Sequence, residues 1–146
     1  MKKTFTLATT ICLCLFFLIN SAWAGITRVK EYPISPGVIS VELSTFYGSI
    51  KWQPTRQGEK PRIIVEVEAD GIALDNVRKA LTQIRIVENI YPSSLLLEAR
   101  TPALPPGVDY VAVNYFAYLP SNQIRQFKAK TANAPIIIEA NFNGHL

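Results

Sequence analysis

Glu66 and Glu68 stand two residues apart, with Asp70 next in line, and this is the spacing in the chain that comes nearest to chemistry. Residues at i, i+2 and i+4 of a strand project from one face, so the three carboxylates would point the same way. Paired carboxylates can act as acid and base in a hydrolase, and Asp109 is a further candidate for that work. With oxygens from another strand the same row could collect a hard cation such as calcium. The simpler use of alternating charge is a solvated sheet face answered across the strands by Arg62, Lys51 or Arg100, and that reading is preferred. No residue is therefore assigned as catalytic, and neither a metal nor a cofactor is expected.

The remaining inventory points the same way. His145 is the sole histidine and sits beside the C-terminus, where a solvated tail residue is the ordinary case. No Gly-x-Ser-x-Gly elbow presents a serine nucleophile. The seven glycines are isolated turn-formers rather than a loop that cradles phosphate. A non-enzyme is expected.

Aromatic residues offer a different chemistry. Tyr110, Phe116 and Tyr118 fall on one side of a long alternating segment, and Phe46, Tyr47 and Trp52 gather around residues 46–52. Exposed together, Tyr47, Trp52, Tyr110, Phe116 and Tyr118 would make a flat surface suited to stacking on a sugar ring or gripping a protein. Core packing under a helix or second sheet accounts for the same residues, since most large aromatics are well buried. Within the set Trp52 and Tyr47, next to a turn, are expected to be the more exposed.

Location constrains all of this. Lys2 and Lys3 precede an apolar run at 11–19, and Ala22-Trp23-Ala24 follows a polar pair, the pattern of an export signal cleaved before Gly25. The run is shorter than the roughly 20 residues of a membrane span, so no integral membrane segment is expected after cleavage. Cys12 and Cys14 lie inside the run and leave with it, so no disulfide, thiolate metal site or cysteine nucleophile is expected in the product. Removing residues 1–24 leaves 13 basic against 11 acidic residues, and the net charge falls from +4 to +2. The cations are spread out, which argues against a nucleic-acid partner. The expected product is one domain over residues 25–146, periplasmic or extracellular.

Period-two alternation dominates that product. Strands are expected at residues 38–44, 50–53, 62–70, 85–91, 94–101, 108–119, 124–131 and 135–142, with the first two joined as a hairpin. Residues 74–84 change period: Val77, Leu81 and Ile84 recur at helical spacing, and Asp75 or Asp70 is available as a cap. Residues 101–107 hold three prolines and a glycine and must be a loop. Short links favour antiparallel neighbours, so the expected fold is mainly β: an antiparallel β-sandwich or short β-solenoid-like domain with one short helix packed on the sheet. Residues 125–130, rich in lysine, suit a protected sheet edge.

The order of these parts carries a resemblance. The strand Val38-Ile-Ser-Val-Glu-Leu43 leads to Tyr47-Gly48-Ser49-Ile50-Lys51-Trp52. A charged strand, a short helix, Leu95-Leu96-Leu97-Glu98-Ala99, a proline-rich loop and a strand closing at Tyr118-Leu119-Pro120 follow. This resembles the bacterial putative-adhesin family, exported domains of unknown function related to head GIN domains. The resemblance implies strands stacked as a β-sandwich or β-solenoid and a role in adhesion, and brings no site residue with it. An internal echo agrees. Thr45-Phe-Tyr-Gly48-Ser-Ile50 and Thr131-Ala-Asn-Ala134-Pro-Ile136 share their spacing, as stacked rungs that turn at the same place require.

The sequence thus predicts an exported, non-enzymatic, adhesin-like domain that binds a protein or glycan at the cell envelope or has a structural role there. The alternatives are a periplasmic accessory or assembly subunit working through protein contacts, or a carboxylate-dependent exported hydrolase.

Overall fold

The computed structural model describes residues 25–139. The expected export signal, His145 and the end of the last expected strand lie outside the described residues.

Alternation builds the strands. In β2 (Ser40–Ser44) Val41 and Leu43 are buried, in β3 (Ile50–Gln53) Ile50 and Trp52, and in β4 (Arg62–Gly71) Ile63, Val65, Val67 and Ala69. β6 (Ser94–Arg100) turns Leu95, Leu97 and Ala99 inward, and β7 (Val108–Tyr118) turns Val111, Val113, Tyr115 and Ala117 inward. β5 (Arg85–Ile90), β8 (Gln126–Lys130) and β9 (Ile136–Ile138) are thinner in apolar groups. β1 (Ile26–Pro33) was not foreshadowed by alternation, because of its inward positions only Tyr32 is buried and Arg28 and Lys30 stand where apolar residues would signal a strand.

Two open sheets pack face to face. Sheet A runs β1-β4-β7-β3-β9 and sheet B runs β5-β6-β2-β8. Trp52 of sheet A lies against Phe127 of sheet B with ring centroids 4.7 Å apart, and the buried Tyr115 hydroxyl donates across the layer to the Ser44 carbonyl at 3.1 Å. The domain is mainly β, with one helix among the described residues, but the expected antiparallel arrangement is corrected. Among the described residues four of the seven pairings are parallel: β2 with β6 and β8, and β3 with β7 and β9. The expected hairpin between β2 and β3 is likewise absent. Turn 45–49 carries the chain from sheet B to sheet A, and a sheet-switching turn uses the same small and polar residues as a hairpin turn.

The switch occurs again at residues 131–135, between β8 and β9, and the two turns lie side by side. The Thr45 amide donates to the Lys130 carbonyl at 2.9 Å, and the Thr131 hydroxyl donates to the Gly48 carbonyl at 2.9 Å. Ile50 is in register with Tyr115 on one side and Ile136 on the other. The sequence echo is therefore a pair of stacked rungs, with β6–β7 as a third rung on the opposite side of β2–β3.

Helix α1 (Leu74–Gln83) buries Val77, Ala80 and Leu81 against the inner face of sheet A, mainly on β4. Neither expected aspartate caps it. Ala73 occupies the cap position without a side-chain hydrogen bond, Asp70 accepts from the Gly71 amide at 2.7 Å, and Asp75 pairs with Arg78 at 3.6 Å in the first turn. The Arg28 guanidinium donates to the Ile84 carbonyl at 3.2 Å, satisfying an orphan acceptor at the helix end. Where the sheets would gape between edge strands β1 and β5, Lys30 and the Tyr32 hydroxyl both donate to Glu88. Those two hydrogen bonds hold the Glu88 carboxyl below its ordinary pKa. At the opposite edge of sheet B, Lys128 and Lys130 of β8 both approach Glu42 of β2, at 3.6 and 3.5 Å.

Gly48 fixes how closely the middle rung approaches β7. Its φ is +123°, and a Cβ there would lie 2.1 Å from the Val113 carbonyl oxygen, a backbone atom that cannot swing away. Gly48→Ala should cost about 2–4 kcal/mol in urea or thermal unfolding. Gly58→Ala, at φ +85° but with open space around it, should cost only about 1 kcal/mol.

Candidate functional site

With sheet B and α1 on its inner side, the other face of sheet A carries the aromatic set. Parity on β7 sends Tyr110, Ala112, Asn114, Phe116 and Tyr118 outward. Tyr110 is 49% exposed, and Phe116 and Tyr118 are half-buried. Tyr47, in the turn before β3, is 40% exposed and meets Phe46 edge to face with centroids 4.6 Å apart. Trp52 is the correction. It is fully buried, packs on Phe127 and donates its indole N–H to the Leu119 carbonyl at 3.2 Å. The reason is parity: Lys51 and Gln53 take the outer positions of β3, so Trp52 shares the inner face with Ile50.

Two hollows mark the ends of the outer face. Near the start of β7 a hollow of about 350 Å³ lies among Tyr47, Ser49, Tyr110, Asn114, Asn133 and Pro135. Near its end a larger one of about 490 Å³ lies among Gln53, Arg56, Glu59, Arg62, Tyr118 and Glu139. Eight residues of strand separate Tyr110 from Tyr118, roughly 27 Å. Phe116 stands between, flanked in register by Ile64 of β4 and Lys51 of β3.

The first hollow is uncharged. The Ser49 amide and hydroxyl both donate to Asn114 Oδ1, at 2.8 and 3.0 Å, which fixes that side chain against the turn. The second hollow is mixed in charge. The Arg62 guanidinium lies over the Tyr118 ring, 4.8 Å from its centroid, and Glu139 pairs with Lys51 at 2.9 Å. Lys51 and Gln53 hydrogen bonds hold the Glu139 carboxyl below its ordinary pKa.

The acidic row is placed on this same outer face, but its expected partners are elsewhere. Lys51 serves Glu139, Arg62 stacks on Tyr118, and Arg100 reaches Glu98 at 3.2 Å. Among the described residues no cation comes within ion-pair distance of Glu66 or Glu68. The neighbouring Glu66 carboxyl instead raises the Glu68 pKa, with burial adding to the effect. Burial and the Glu68 charge in turn raise the Tyr110 phenol. Glu66 faces Asn114 across the β4–β7 pair, and Glu68 faces the buried Ala112. Asp109 is exposed at the start of β7 and out of phase with Tyr110. No group of three or more metal-ligating side chains occurs among the described residues.

Sequence reasoning passed over Asn114, Ser49 and Asn133. One signal was available: Asn114 is a lone amide in the outward row of a strand whose other outward residues are aromatic or small.

Three in-register parallel rungs, closed on one side by antiparallel strands, define a mainly-β domain built on mixed, open sheets. Among the solved structures to which it is similar are the following three. A putative adhesin from Parabacteroides merdae ATCC 43184 shares 11% identity over 77% of this chain and 38% of its own, with a TM-score of 0.39. A putative adhesin from Parabacteroides distasonis ATCC 8503 shares 10% identity over 66% of this chain and 34% of its own, with a TM-score of 0.36. A putative cell adhesion protein from Clostridium sporogenes ATCC 15579 shares 11% identity over 73% of this chain and 57% of its own, also with a TM-score of 0.36. The chain thus spans less than two thirds of the length of each. No family model matches the chain, and no curated protein matches it.

The raised Glu68 pKa has a measurable pH signature. A carboxyl whose pKa is raised by folding destabilises the fold when ionised, and that cost disappears as pH falls through the raised value. Glu68→Gln should therefore melt above the wild type at pH 7. The gain should shrink as the pH is lowered toward about 4, where wild-type Glu68 is protonated as well.

Proposed function

We propose that this chain is an exported, non-enzymatic, adhesin-like domain that binds its partner through the outer face of sheet A. One observation carries the reading: Tyr110, Asn114, Phe116 and Tyr118 project side by side from β7, on a face that no other described element covers, with a hollow at each end. These side chains lie outside the hydrophobic core, which is filled from the inner faces and α1, so packing does not account for the exposure of Tyr47 and Tyr110. Aromatic and amide groups on a rigid sheet provide contact area at low entropy cost. The export pattern at residues 1–24 supports action outside the cytoplasm, in the periplasm or beyond, on a protein or glycan of the envelope.

A second reading, an assembly subunit that pairs with a partner strand, is favoured by β9. This edge of sheet A consists of Ile136, Ile137 and Ile138, with Ile136 and Ile137 each more than 40% exposed.

The test is binding of the exported protein, whose intact mass should report cleavage after Ala24, to whole cells and envelope fractions. Tyr47→Ala and Tyr110→Ala should each weaken binding about tenfold or more while the thermal midpoint stays put. Trp52→Ala should instead cost about 3–5 kcal/mol of stability. Wild-type affinity in both tyrosine variants would refute the outer-face reading, and loss confined to Ile137→Lys would transfer the contact to β9.

A further inference from the structure

The hollow at the start of β7 has a chemical character that narrows its ligand. Asn114 sets it. A backbone N–H can only donate, so the Ser49 amide requires the Asn114 oxygen to face it, and the Asn114 NH2 must point the other way. That NH2 finds no acceptor among the described residues, and Asn114 lines the hollow. The site therefore offers two fixed N–H donors from a side chain clamped at its other end. Around them stand the Tyr47 and Tyr110 phenols, which donate and accept, and the Asn133 amide.

Rigidity comes from the rung stacking. The Tyr47 carbonyl accepts from the Val113 amide at 2.7 Å and from the Thr45 hydroxyl at 2.8 Å, and Phe46 holds the Tyr47 ring from its edge. The backbone here is already engaged: the Ser49 carbonyl accepts from the Tyr115 amide at 2.9 Å, and the Ile50 amide donates to the Pro135 carbonyl at 3.2 Å. An added peptide strand thus finds no open ladder, and recognition falls to side chains.

Charge and size complete the selection. The side chains lining the hollow are neutral at physiological pH, and the raised Tyr110 pKa keeps its phenol protonated. The charges beside it on β4 are negative, Glu66 across from Asn114 and Asp70 across from Tyr110, so an anion would meet repulsion without a counter-charge. A volume of about 350 Å³ stands at the small end of ligand sites, which span roughly 300–1,000 Å³.

Resting on the outer-face reading above, we propose that this hollow is a subsite for one uncharged pyranose ring of an envelope glycan. The ring's C–H face lies against a tyrosine, and neighbouring hydroxyls accept from the Asn114 NH2 and exchange hydrogen bonds with the phenols. Glycan hydroxyls both donate and accept, as the phenols do, and the aromatic surface covers the apolar face of the sugar.

The experiment titrates the exported protein with methyl glycosides of glucose, galactose and N-acetylglucosamine, beside sialic acid and glucuronate glycosides, followed by NMR. At least one neutral glycoside should shift the Asn114 side-chain NH2 signals, with an affinity that does not change between low and high salt. Tyr110→Ala and Asn114→Asp should each reduce that affinity about tenfold or more, the second because it keeps the acceptor for Ser49 and removes the donors. Tyr47→Phe and Asn133→Ala, which leave the Asn114 clamp intact, should each weaken it severalfold. Preference for the anionic glycosides, strong salt dependence, or indifference to all four variants would overturn the assignment. Tyr110-dependent binding to envelope fractions that protease abolishes, with no glycoside shift, would also overturn it while leaving the outer-face reading in place. Absence of any envelope binding would remove that reading first.

Discussion

Register between stacked rungs is the constraint on which the rest of this molecule depends. β2 sits between β6 and β8, and β3 sits between β7 and β9, all in parallel register. The chain passes from β2 to β3 and from β8 to β9 through turns of equal length. A one-residue slip in either would send inward residues out and outward residues in. The stacking columns show the fit: Tyr115, Ile50 and Ile136 form one, and Ala117, Trp52 and Ile138 form the next, with a small side chain beside the largest. The first hollow is a product of this stacking. Tyr110 and Asn114 come from one rung, Tyr47 and Ser49 from the second, and Asn133 and Pro135 from the third.

What the sequence revealed follows from which interactions are local. Alternation on β4, β6 and β7 marked their buried faces because parity is a property of neighbouring residues. The same parity applied to Ile50-Lys51-Trp52-Gln53 already assigns Trp52 to the inner face. Expecting it at the surface gave weight to the nearby turn over the alternation. The Thr45 and Thr131 echo was legible for a deeper reason, since two turns that must stack need one geometry and so similar spacing. Strand direction was not legible. A short link of small and polar residues serves a hairpin or a change of sheet equally well, and the difference lies in contacts between residues such as Ile50 and Tyr115, far apart in the chain.

β1 and the acidic row were opaque on the same grounds. β1 spends inward positions on Arg28 and Lys30, which finish the helix end and close the gap to β5, so its apolar signal is erased by its structural role. Glu66 and Glu68 invited cations from across the sheet, but the candidates were committed to Glu139, Tyr118 and Glu98. The site was legible in part. Tyr110, Phe116 and Tyr118 share one face of β7 as their spacing suggested and Tyr47 joins them from the turn, whereas Asn114 acquires its meaning only from Ser49, 65 residues away in the chain.

The two outer faces of the sandwich differ in a way that bears on the proposed recognition face. On sheet B the central Glu42 is flanked by Leu96 and Lys128, and the next row places Ser44 between Glu98 and Lys130. Around its centre the charges are matched within the sheet, Glu42 with two lysines and Glu98 with Arg100, and a ligand there would have to displace those pairs for little gain in apolar contact. Sheet A has the opposite character. Its outward row on β7 is largely aromatic, its hollow near Tyr47 is neutral, and among the described residues the Glu66 and Glu68 carboxyls beside it have no cation within ion-pair distance. A surface that presents clamped amide donors and tyrosine rings, next to carboxyls without a cation partner, has polar capacity left over after folding. The centre of sheet B has used its own. That unspent capacity, together with the exposure of Tyr47 and Tyr110, is the physical ground on which the proposed recognition face is sheet A rather than sheet B.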